Sequence, residues 1–216
     1  MTIESEFQPV TEVGGDFLDY FLLSDGTAGV YLGDVTGKGL PAALFAALAV
    51  GTLRGVHKTG TAPSTVLAQL NKRMLLKNVT VRYAAMQYAH LNPETGVMRV
   101  ASAGMHGPFH LRAGGCDDLA LSGIQGLFPN TEYEMKEIQL ADGDSVVFLS
   151  DGLIDAMDGD GDILGIEKIL ELLADCREKS PQEILRTLFS YVEAYAKVQP
   201  QQDDRTAAVL RYSPSS

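Results

Sequence analysis

The stretch YLGDVTGKGLPAAL, Tyr31 to Leu44, decides how the chain is read. An apolar run leads in, a Gly-rich turn carrying Lys38 follows, and an Ala-rich segment leads out. Strand, loop and helix in that order suit a phosphate-binding loop, but the chemistry does not. Such a loop needs G-x-x-x-x-G-K-[ST], with the Lys on the phosphates and the hydroxyl on magnesium. Gly33 to Gly37 is one residue short, Gly39 stands where the hydroxyl belongs, and Asp34 puts an anion where phosphates would lie. Asp34 is better placed as a ligand itself. A strand end fixes its carboxylate, and the glycines beside it let backbone or ligand come close.

Outward from that loop, Thr27–Val35 reads as a β-branched, apolar strand preceded by turn residues Ser24, Asp25 and Gly26. A helix is expected from Pro41, since proline suits a first helical position. Its Ala, Leu and Val content predicts burial on most sides. A second helix is expected over about Pro63–Lys77, with Val66, Leu67, Leu70, Met74 and Leu75 at helical spacing. RYAAMQYAHL (82–91) and GVMRVASAG (96–104) read as strands joined by an Asn92–Gly96 hairpin turn. PFHLRAGG (108–115), EMKEIQL (134–140) and SVVFLS (145–150) follow as further strands, the last entered through the turn Ala141–Asp144. Helices are expected over Ile166–Lys179 and from Ser180, where Pro181 takes the first position and Glu183 completes a capping box. TAAVLRY (206–212) is the closing strand. The order predicts an α+β fold: a sandwich of two antiparallel β-sheets flanked by helix pairs, in one domain over 1–216.

Composition narrows the function. The 216 residues carry 28 Asp+Glu against 17 Lys+Arg, a formal charge of −11, so no basic face for nucleic acid is expected. The cysteines, Cys116 and Cys176, form no C-x-x-C pair, so neither a disulfide framework nor a zinc site is implied and a reducing cytoplasm fits. The opening MTIESEFQPV lacks a signal's basic start and apolar core. The apolar stretch Leu40–Leu53 is shorter than the ~20 residues a membrane span takes. No membrane insertion and a cytoplasmic location are expected.

Acidic residues recur where strands meet turns: Asp16 in VGGDFLD, Asp34, Asp151 in FLSDGLIDA, and Asp203 and Asp204 in QQDDRTAAVL. Carboxylates gathered in space repel unless cations neutralise them. Oxygen-only donors favour Mg²⁺ or Mn²⁺. A pair of such ions about 3.5–4 Å apart is a device for phosphoryl hydrolysis. Spacing alone does not establish that these residues meet. Any one of them also reads as ordinary turn chemistry, as do Asp25-Gly26, Asp142-Gly143, Asp158-Gly159 and Asp160-Gly161.

Five segments in order carry a further signal: EVGGDFLDYF, LGDVTGKGLPAALFAA, SAGMHGPFHL, QGLFPNTEYEMKEIQLADGDSVVFLSDGLIDAMDGDGDILG and QQDDRTAAVLR. From about Phe7 to Arg211 the chain resembles the SpoIIE-type branch of the PPM (type 2C) metal-dependent serine/threonine phosphatases. The resemblance implies the two-sheet sandwich and two Mn²⁺ or Mg²⁺ ions in a cleft at one end of it. Asp34 would bridge the ions, and the Val35 carbonyl and Asp16 would bind one of them. Asp151 and Asp203 would hold the other, with Asp204 left open as the alternative because the two Asp are adjacent. Asp19 is expected in a turn or behind the ligands, and Lys38 has at most a minor, electrostatic role.

The implied reaction is direct hydrolysis of phosphoserine or phosphothreonine on a protein, with Asp34 and Asp151 as catalytic residues and no cysteine nucleophile. The implied substrate is a small phosphorylated anti-sigma-factor antagonist in a bacterial partner-switching pathway. A sensory or receiver domain upstream is a common family arrangement. The chain departs from the family at Met105-His106-Gly107-Pro108, where the His is displaced by one, and at Thr36, where another branch has His. No role is assigned to His57, His90, His106 or His110. An adaptor that keeps the fold without catalysis is the alternative; the retained acidic residues at all four places speak against it.

Overall fold

The computed structural model describes residues 1–58, 60–76, 83–121, 131–197 and 199–214. Its strands alternate faces, and that alternation builds a layered molecule. One sheet runs in the order β1 (Thr2–Gln8), β10 (Arg205–Arg211), β9 (Ser145–Leu149), β6 (Phe109–Arg112), β7 (Gly115–Asp118). The other runs β2 (Phe17–Leu22), β3 (Ala28–Val35), β4 (Ala84–Leu91), β5 (Val97–Ala103), β8 (Met135–Gln139). Neighbouring strands in both sheets are antiparallel. The expected α+β sandwich is what the chain forms.

Period-two patterning separates three apolar layers. Val30 and Leu32 of β3, Val146 and Phe148 of β9, and Ala208 and Leu210 of β10 meet between the sheets. Tyr31 and Val35 face outward under α1 (Leu40–Val56) and α2 (Pro63–Leu76). Val147, Leu149, Ala207 and Val209 face the opposite way, under α3 (Asp151–Ile154), α4 (Gly165–Ala174) and α5 (Pro181–Tyr195). Both helix groups therefore cover the outer faces of the sandwich.

Several expectations shift in detail. Helix α1 opens at Leu40, one residue early, behind an N-cap at Gly39 with φ 71°. Its burial is one-sided rather than general. Ala42, Phe45, Ala46, Ala49, Leu53 and Val56 form the buried stripe, while Leu40 and Leu44 are each 63% exposed. Helix α4 stops at Ala174, short of the expected Lys179. Beyond it, Cys176 and Lys179 donate N–H bonds to the Leu173 and Cys176 carbonyls, three residues back each time, so the chain tightens out of α-helical register. PFHLRAGG is not one strand; it folds into the β6–β7 hairpin, whose turn uses Gly115 at φ 135°. Strands β1 and β2 were not expected from the sequence, nor was the single turn α3. Lys77 and Arg82, at the edges of expected elements, lie outside the described residues. Helix α5 is capped as expected: Ser180 Oγ accepts from the Glu183 N–H, and the Glu183 carboxylate accepts from the Ser180 N–H. No helix among the described residues is long and apolar enough to cross a membrane.

Candidate active site

Antiparallel register puts the acidic residues at one end of the sandwich. Phe17 pairs with Gly33, so Asp16, which leads into β2, lies beside Asp34, which all but ends β3. In the other sheet Leu149 pairs with Ala207, so Ser150 and Asp151 leave β9 where Asp203 and Asp204 enter β10. Contacts join the two sheets here. The Thr206 hydroxyl on β10 donates to the Asp16 carboxylate. Asp34 feels the charges of Asp151 and Asp203 and lies beside Asp16. All four expected places therefore converge.

Glycines set the close approaches. A Cβ at Gly15 would stand 2.7 Å from the Val35 carbonyl oxygen and 3.2 Å from Asp34 Oδ1. Val35 and Asp34 thus present oxygens to a space that a side chain would fill. A Cβ at Gly152 would collide with the Asp204 carbonyl, and one at Gly14 with the Asp204 carboxylate. These positions need glycine for room; no unusual φ is involved.

Asp203 and Asp204 differ sharply. The Asp204 carboxylate turns inward, where Oδ1 accepts from the Val10 N–H at 2.8 Å and Oδ2 from the Gly15 N–H at 2.7 Å. It fastens the segment leading to Asp16. The Asp203 side chain is 48% exposed, with Oδ1 3.9 Å from Lys38 Nζ. It shares a cavity of about 120 Å³ with Asp151, Gly152, Asp155, Gln202 and Arg205.

The electrostatics are those of crowded, half-buried acids. Burial pushes the Asp16 carboxyl well above the usual carboxylate range; the Thr206 hydroxyl works against that, and Asp34 adds to it. Asp34 is raised by burial, then by Asp151 and Asp203. Asp151 is raised by burial, then by Asp203 and Asp155. Such a set holds charge poorly without a cation. Among the described residues no group of three or more His, Cys, Asp or Glu stands arranged to hold an ion. The donors nonetheless suit a hard one. Asp34 Oδ1 and the Val35 and Gly37 carbonyls are the atoms nearest the space kept open by Gly15, and all three are oxygens.

The remaining candidates fall outside the cluster. Asp19 accepts from the Tyr31 hydroxyl at 2.9 Å and from the Arg54 guanidinium, tying β2 to α1. His57 stacks on Phe21 at 4.3 Å, His90 bonds the Tyr88 hydroxyl at 2.6 Å, His110 bonds Asp144 at 2.9 Å, and His106 is exposed. Burial pushes the Cys116 thiol up to about 12, which disfavours the thiolate a nucleophile needs, and Cys176 is buried. Sequence reasoning missed Ser150 and Thr206, which place hydroxyls against Asp16, and Asp155, whose charge reaches Asp151. The only signal for Asp155 was its spacing of four from Asp151, one helical turn on.

Two five-stranded sheets between helix layers, with acids gathered at one end, define a PP2C-type sandwich. The structure of the SiaA PP2C domain of Pseudomonas aeruginosa superposes with a TM-score of 0.88 at 20% identity, covering 98% of this chain and 85% of that one. RsbX in complex with magnesium superposes with a TM-score of 0.69 at 15% identity, covering 98% and 96%. In sequence, phosphoserine phosphatase RsbU of Bacillus subtilis (strain 168) is 29% identical over 209 residues, 94% of this chain and 61% of that protein. The chain spans less than two thirds of the curated relatives it matches. The model of the family Stage II sporulation protein E (SpoIIE) matches residues 24–213, and the chain belongs to that family.

Proposed function

We propose that the chain hydrolyses phosphoserine or phosphothreonine on a protein, using two Mn²⁺ or Mg²⁺ ions held by its acidic cluster. The observation that carries this reading is the convergence of Asp16, Asp34, Asp151 and Asp203 from four separate segments, with the carboxyls of the first three raised by burial and by one another. Asp34 lies between the two halves of the cluster, which suits a bridging ligand. The Val35 carbonyl and Asp16 serve one side, Asp151 and Asp203 the other. The inward turn of Asp204 favours Asp203 as the ligand. Held there, the ions would lower the pKa of a water and would offset charge on the phosphoryl oxygens.

The chain's own residues do the positioning. Thr206 and Ser150 orient the Asp16 carboxylate, and Asp204 holds the backbone ahead of it. Lys38, tethered loosely to Asp203, is free to swing toward an incoming phosphate. The similarity to RsbU and to the magnesium-bound RsbX supports the activity and the choice of metal. We extend the proposal to the substrate: the motifs' resemblance to the SpoIIE-type phosphatases points to a phosphorylated anti-sigma-factor antagonist in a cytoplasmic partner-switching pathway, with a sensory or receiver domain as a partner in regulation.

The test is hydrolysis of an aryl phosphate and of a phosphoserine protein, with Mn²⁺ and with chelator. Activity should need metal and fall at least a thousandfold in Asp34→Ala and Asp151→Asn. Turnover that persists in chelator, or at full rate in either variant, would sink the two-metal account. Inactivity under every metal condition would turn the reading to the adaptor.

A further inference from the structure

At the far end of β3 from Asp34 lies a second cavity, of about 300 Å³. That is at the lower limit for ligand pockets, roughly 300–1,000 Å³. His90 and Arg99 are direct cross-strand partners in its wall and so share a sheet face. The β2–β3 turn adds Asp25 and Thr27, and the β4–β5 turn adds Asn92. Gly60 to Pro63, where α1 gives way to α2, closes another side.

The charges in this cavity are few and of both signs. His90 is 8% exposed, and burial holds its imidazole far down, at about 4, so near neutral pH the ring carries no charge. Asp25 and Arg99 both act on that ring, the one favouring its protonated form and the other opposing it, so acid and guanidinium flank it. Arg99 commits Nε to Glu137 at 2.7 Å, one of the five N–H donors a guanidinium has. Asp25 uses Oδ1 on the Thr27 N–H. Helix α2, 14 residues long, begins at the cavity wall with no acidic residue in its first turn. Its first N–H groups add positive potential on the anion-binding side. Leu23, Val97 and Pro63 supply apolar wall.

We propose that this cavity binds a free α-amino acid or a zwitterion of similar size. The carboxylate faces Arg99 and the start of α2, the ammonium faces Asp25, and the side chain lies on Leu23 and Val97. A simple anion would leave Asp25 opposed, and a simple cation would leave Arg99 opposed. The inference does not depend on the phosphatase reading. It concerns the other end of the sheet, although α1 runs from the Asp34 loop to this cavity.

The experiment is an amide chemical-shift titration of the ¹⁵N-labelled chain with alanine, leucine and glutamine. Lactate, which lacks the ammonium, and ethylamine, which lacks the carboxylate, are the controls. At least one amino acid should move the Thr27, Thr61 and Asn92 amides in a saturable way, and neither control should match it. Asp25→Asn and Arg99→Gln should each weaken binding tenfold or more. Asp25 is exposed, so its substitution tests the site without threatening the fold. The proposal is overturned if no amino acid moves these amides, if a control binds equally well, or if Asp25→Asn binds as the parent does.

Discussion

Replacing Asp204 by Ala would strip the Val10 and Gly15 N–H groups of their acceptor. The Gly15 donor is buried and the Val10 donor half-buried; an orphaned buried donor costs about 1–3 kcal/mol, so the variant should lose about 1–4 kcal/mol in denaturant unfolding. Asp203→Asn should unfold within about 0.5 kcal/mol of the parent, as exposed substitutions do. In calorimetric titration it should bind Mn²⁺ much more weakly. The reverse pattern would make Asp204 the ligand. Sequence could not settle this pair, because neighbouring residues at a strand entrance point opposite ways and spacing does not say which way is in. Asp16, Asp34 and Asp151 were legible because each stands beside a glycine at a strand end. Ser150 and Thr206 were not, since small hydroxyls follow no pattern until a partner faces them. His90 offers a pH test. Its ring is held at about 4 against the ordinary imidazole value of 6.5, so between these the unfolded chain binds the extra proton. Stability from this group is present above pH 6.5 and is lost as pH falls toward 4. Its neighbours Tyr88, His57, Asp25 and Arg99 set that environment. His90→Gln should flatten the slope of unfolding free energy across this window.

Among the elements, α5 carries the cap that the sequence announced most clearly. Ser180→Ala removes the acceptor for the Glu183 N–H and should cost about 1 kcal/mol. For a chain of this size that is about 2–4 °C in thermal midpoint, readable by circular dichroism. An unchanged midpoint would mean that packing of Ile184, Leu188 and Val192 alone holds the helix. Other elements were legible in proportion to their burial. Strands β3, β9 and β10 are apolar on both faces because each is covered on both sides. Strand β1, TIESEFQ, lies at a sheet edge with no fully buried residue, so it lacks the apolar run that marks a strand. Helix α1 misled in the opposite direction. Its mean apolarity hid a single stripe, and only the partners of Ala42, Phe45 and Ala49 distinguish that face from Leu40 and Leu44.

For the whole molecule, the three apolar layers share strands, since each sheet feeds both the central layer and one outer layer. Damage to the centre should therefore spread to both helix groups. Phe148 is fully buried between the sheets, and Phe148→Ala should cost about 3–5 kcal/mol. Far- and near-ultraviolet circular dichroism should still follow one coincident transition. Separate transitions would mean that the two halves of the sandwich unfold on their own. The pairing of β1 with β10 bears on how this body answers force. Thr2 stands opposite Arg211, and the Met1 amino group reaches the Ser213 carbonyl at 3.3 Å. A pull that separates the two ends acts along the inter-strand hydrogen bonds and loads them one after another. Strand β1 then peels like a zipper, starting from Thr2. The tear reaches Gln8 and Arg205, beside the acidic cluster, last of all. Tension carried through the ends of this chain would reach its chemistry only after seven residues had let go.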